Sequence, residues 1–138
     1  MNIETLENIT EEICESFEVY APPVPVELML QKPPVGMWEE IDVTRLSGSF
    51  LSVAERYSPR MSLSRLLARH IAASDWGKER GIDAILGNEK VLNAFARMLL
   101  MPREMVNGLT SNMKNPQTMS MHFEVPESDA RQRLLELA

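Results

Sequence analysis

The chain reads as a single α+β domain, 1–138, mainly helical with a small antiparallel sheet. Apolar residues recur at helical spacing through most of its length. Residues 37–57 instead gather strand-forming side chains around a turn candidate. A length of 138 residues, 44% hydrophobic and 25% charged, suits one domain with a core of its own.

Ile3, Leu6, Ile9, Ile13 and Phe17 fall at steps of three and four, which predicts an amphipathic helix ending near Tyr20. The first twenty residues also hold Glu4, Glu7, Glu11, Glu12, Glu15 and Glu18 and no Lys or Arg. The rest of the chain balances, 14 acids against 14 bases, so the net charge of −6 belongs to this one helix. Clustered charge of this kind steers a basic partner, which makes the helix a candidate partner-facing surface; the alternative is a solvated face with no specific role. Cys14 follows Ile13 in the helical pattern and is the single cysteine. An intramolecular disulfide is therefore impossible, and a buried thiol in a cytoplasmic protein is expected.

Pro22, Pro23 and Pro25 break the helix, and a short second one is predicted over 26–31 with Pro25 near its first turn. Lys32 to Gly36 is a loop. Ile41, Val43, Phe50, Leu51 and Val53, with Ser47-Gly48-Ser49 as the turn, predict a hairpin or meander that Ser58-Pro59 closes. Helical periodicity resumes from Met61 to about Gly77, with Leu63, Leu67 and Ile71 in one stripe widened by Leu66. Gly77, Gly81 and Gly87 punctuate the loop after it. Residues 89–101 are apolar around most of the circumference and should form the central helix. Pro102 ends that helix and opens the next, to about Leu109. Asn115-Pro116 reads as a cap and first helical residue, and two short helices follow, about 116–122 and 126–137.

Several function classes are excluded by these patterns. No apolar run approaches a membrane span, and the acidic start is unlike a secretory signal. Arg131 and Arg133 in the final helices are outnumbered by Glu124, Glu127, Asp129 and Glu136, which opposes direct nucleic-acid binding. There is no Gly-rich phosphate loop, and Ser62 and Ser64 lack a nucleophile elbow. Trp38 and Trp76 read as core or interface residues, the methionines at 98, 101, 105, 113, 119 and 121 as core filler rather than a methionine-rich docking surface, and His122 as a surface or packing residue.

Four stretches point to a family. Glu89-Lys-Val-Leu-Asn93-Ala-Phe95-Ala96-Arg-Met-Leu-Leu-Met101-Pro102 is similar to an E-x-x-A-N-x-F-A-x-x-L-L-M-P signature, with Leu92 in the Ala position. Val24 to Leu28, Leu46 to Phe50 and His122 to Leu134 agree in order and spacing. Together they resemble the ImmA/IrrE family of zinc metallo-endopeptidases over nearly the whole chain. The resemblance implies a zincin-like peptidase fold with a small sheet, and a helix bearing His-Glu-x-x-His before the E-x-x-A-N segment. The matching residues here are Arg65, Leu66 and Arg69, while the family's third zinc ligand is kept as Glu89.

An arginine is permanently charged and has no lone pair to give a metal, so neither zinc nor peptidase activity transfers to these positions. The expectation is a pseudo-metallopeptidase: no catalytic residues, no cofactor, and a regulatory or protein-binding role. Active relatives cleave helix-turn-helix repressors, so the resemblance implies a transcriptional regulator of that kind as partner. Arg65 and Arg69 lie one helical turn apart. They form a solvated basic face, a clamp on Glu89 that replaces zinc as the link between helices, or an anion site. The alternative is an enzyme, a divergent metallopeptidase or hydrolase with zinc relocated to His70, Asp75 and Glu89. His70 is one residue beyond the lost ligand position and points about 100° away.

Overall fold

The computed structural model describes residues 2–42, 44 and 56–138. Among these residues eight α-helices follow in order: α1 Ile3–Ser16, α2 Val26–Gln31, α3 Ser58–Ala73, α4 Asp75–Glu79, α5 Glu89–Leu100, α6 Arg103–Asn107, α7 Pro116–Phe123 and α8 Glu127–Leu137. Short 3-10 turns at Ile82–Ile85 and Ser111–Met113 join them. All regular structure among the described residues is helical, so the α+β class is corrected to all-α. Val43, Phe50, Leu51, Val53 and the 47–49 turn lie outside the described residues. Ile41 is described, and it enters no strand. Its amide donates to the Leu30 carbonyl at 2.8 Å, satisfying a carbonyl that the end of α2 leaves open.

The core is built where α3 crosses α5. Leu67, Ala68, Ile71 and Ala72 from α3 meet Phe95, Ala96, Met98 and Leu99 from α5, all with almost no exposed surface. Burying each large side chain contributes about 1.5–3 kcal/mol. The alanines bring the two backbones close, and the buried Ser64 hydroxyl donates to the Ala96 carbonyl across the gap at 2.8 Å. Trp38 and Trp76 complete the core edge-to-face at 6.0 Å, and the Trp38 indole donates to the Met29 carbonyl at 2.9 Å.

Ser58-Pro59 starts α3, because Pro at the first helical positions has its φ preset and no amide to satisfy. The helix predicted to run to Gly77 is two helices. Ser74 turns out to extended geometry (φ −73°, ψ 160°), and its hydroxyl accepts from the Gly77 amide to cap α4. Asn115 caps α7 as the sequence predicts, accepting from the Thr118 amide at 2.9 Å. Met98, Met101 and Met119 are buried core, whereas Met121 is 68% exposed.

Arginines tie the outer helices to this core. Arg133 of α8, wholly buried, holds both Glu7 oxygens at 2.7 Å and donates to the Met101 carbonyl. Arg103 reaches Glu4, Asn8 and Glu11; Arg80 reaches Glu12 and lies over the Trp76 ring at 3.7 Å. Arg97 pairs with Glu136, and Arg60 joins Glu27 to the Val24 and Glu124 carbonyls. Part of the acidic face of α1 is therefore engaged within the chain. Glu4, Glu7, Glu11 and Glu12 pair with arginines far along the chain; Glu7 is buried and Glu11 and Glu12 partly so, whereas Glu4, like Glu15 and Glu18, stays exposed.

Candidate functional site

Of Arg65, Leu66 and Arg69 on α3, Arg69 is the one that meets the start of α5. Glu89 is the first residue of α5, set there by Asn88, whose side chain accepts from the Val91 amide at 3.2 Å. One Arg69 nitrogen donates to both Glu89 oxygens, at 3.0 and 2.8 Å. The clamp on Glu89 therefore forms, but through one arginine. Arg65 does not reach Glu89; its nearest polar contact is the Ser62 hydroxyl at 3.4 Å. Leu66 is half-buried against the core.

The clamp is also a surface feature. The Arg69 and Glu89 side chains are 44% and 68% exposed, so solvent screens the pair. An exposed pair of this kind is worth about 0.2–1 kcal/mol, far less than a buried cross-link. The link between α3 and α5 comes from their apolar contact and the Ser64 hydrogen bond.

His70 and Asp75 do share a site, an open groove of about 530 Å³ walled also by Trp38, Glu39 and Ser74. Glu89 is not among its walls, being held by Arg69. Burial pushes the His70 imidazole below its usual range, and the nearby Glu39 carboxylate opposes that shift. His70 thus favours the neutral form. The Ser74 hydroxyl is engaged at both ends, donating to Ile71 and accepting from Gly77.

Zinc does not fit the residues at the family's positions. Two guanidiniums and a leucine offer no lone pair, and the one carboxylate faces a fixed positive charge. Among the described residues no three His, Cys, Asp or Glu side chains are grouped so as to hold a metal ion.

Compared with protein-family models, curated proteins and solved structures, the chain gives no match. No helix among the described residues is long and apolar enough to cross a membrane.

Two arrangements have no signal in the sequence. Glu39 joins His70 only because the loop after α2 folds back over α3, a long-range contact with no local signature. The buried Arg133–Glu7 pair spans almost the whole chain, and each residue alone reads as a surface charge on an amphipathic helix.

Proposed function

We propose that this chain is a catalytically inactive relative of the ImmA/IrrE zinc peptidases. It acts in the bacterial cytoplasm as a regulatory, protein-binding module whose partner is a helix-turn-helix transcriptional regulator. The observation that carries this reading is the Arg69–Glu89 contact. The position where the resemblance implies a zinc histidine holds a cation, and that cation occupies the remaining ligand carboxylate. A general base is missing too, because Leu66 stands where the activating glutamate is implied. Direct nucleic-acid binding is disfavoured, since Arg60, Arg80, Arg97, Arg103 and Arg133 are each paired with a carboxylate of the same chain.

The test has two arms. Elemental analysis after incubation with excess zinc and gel filtration is expected to find under about 0.1 zinc per chain. About one zinc per chain, lost in Glu89→Ala or His70→Ala, would overturn the inactive reading in favour of a relocated metal site. A helix-turn-helix regulator that co-purifies from the native host and re-forms the complex from pure components supports the partner. Capture only of proteins without such a domain removes it.

A further inference from the structure

A second pocket, of about 240 Å³, opens between α1, the residues that follow it and α6. Its floor is apolar: Cys14, Val19, Pro102 and Met105. Cys14 is only 8% exposed, and its thiol makes no hydrogen bond among the described residues. Its rim is acidic. Glu11 is tied to Arg103, but Glu15 and Glu104 are exposed and have no ion pair among the described residues. Tyr20, 73% exposed, stands at the mouth.

We propose that this pocket receives one arginine side chain of a basic protein partner. The aliphatic stem lies on the apolar floor, the guanidinium sits between Glu15 and Glu104, and the Tyr20 ring covers its face. The size is the first argument. Sites for drug-sized molecules run to about 300–1,000 Å³, so this volume suits a single long side chain. The chemistry is the second. Arginine buries its methylenes while its weakly hydrated head stays at a charged rim, stacks on aromatic faces and pairs with carboxylates. The electrostatics agree: besides burial, Glu104, Glu11 and Glu15 all bear on the Cys14 sulfur, so three carboxylates converge on one small volume. The uncompensated acids of α1 and α6 thus supply the attraction for a basic partner that the whole of α1 does not.

This inference rests on the reading of the chain as a protein-binding module and names the chemistry of what it binds. The test titrates the ¹⁵N-labelled full chain with the peptide acetyl-Gly-Gly-Arg-Gly-Gly-amide and with the same peptide carrying neutral citrulline. Saturating shifts are expected at the amides of Glu15, Val19, Tyr20 and Met105. The citrulline peptide should bind at least about tenfold more weakly, as should the arginine peptide to Glu15→Gln/Glu104→Gln. That variant should keep its unfolding midpoint, because neither carboxylate is in an ion pair among the described residues. No saturable shift at those amides up to about 10 mM, equal binding of citrulline, or an unaffected double variant would overturn the proposal. The zinc measurement reads different residues. A chain that binds zinc and takes the peptide overturns the inactive-peptidase reading alone; a zinc-free chain that ignores the peptide overturns this pocket alone.

Discussion

Arg133 is a fully buried charge. Its side chain is 0% exposed, and that of Glu7 is 3% exposed. A charge so placed tolerates no loss of its partner. Glu7→Gln or Arg133→Met alone is expected to cost about 3–5 kcal/mol in urea unfolding, whereas Glu7→Leu with Arg133→Met recovers most of it. A single-variant loss under about 1 kcal/mol would show that water reaches the pair. Cys14 is the opposite case, a group that avoids charge. Burial first, then Glu104, Glu11 and Glu15, push its thiol up to about 11. Iodoacetamide should therefore modify it at pH 8 at least about 100-fold more slowly than an unstructured thiol, with the rate climbing steeply toward pH 11. Because the folded value is raised, the associated stability is fully present below the unfolded value of 9.0 and is lost as pH rises through about 11.

The break between α3 and α4 shows how one residue can fix the path of an element. Ser74 leaves helical geometry, and α4 turns back so that Gly77 sits against the end of α3. A Cβ at Gly77 would overlap the Ile71 carbonyl oxygen and crowd that of Ala72 at 3.1 Å. These are backbone atoms and cannot swing aside. Gly77→Ala is expected to lower stability by about 2 kcal/mol or more and to loosen Trp76, seen as a red shift in tryptophan emission. Unchanged stability would mean that α4 can slide off α3 without loss. The same break explains why helical periodicity ran on past it: Ser74 caps one helix and ends another with no proline or glycine to mark the place.

On the scale of the whole molecule, the acidic start of the chain and its later arginines form one charge system. Glu4 and Glu11 meet Arg103, about ninety residues away, so they should matter to folding. Glu15 and Glu18 should not. Glu4→Gln/Glu11→Gln is expected to lower the melting temperature by about 4–8 °C, because each lost charge-assisted contact leaves the half-buried Arg103 under-satisfied. Glu15→Gln/Glu18→Gln should change it by less than about 2 °C. The reverse order in a melting experiment would return α1 to the role of a solvated face. Replacing all the glutamates of α1 together would confuse unfolding with lost binding.

By itself the sequence determined several helices: the stripes of α1, α3 and α5, the Asn115-Pro116 start of α7 and the apolar identity of α5. Those properties are local, set by residue type and by spacing within one or two turns. Only the tertiary structure decided that Arg69 and not Arg65 holds Glu89, and that this clamp is exposed. It also separated Glu89 from His70 and Asp75, placed Glu39 beside them, and paired Glu4, Glu7, Glu11 and Glu12 with distant arginines. Each of these depends on which helix faces meet across tens of residues. A charge on an amphipathic helix looks the same in sequence whether water or a distant arginine will cover it.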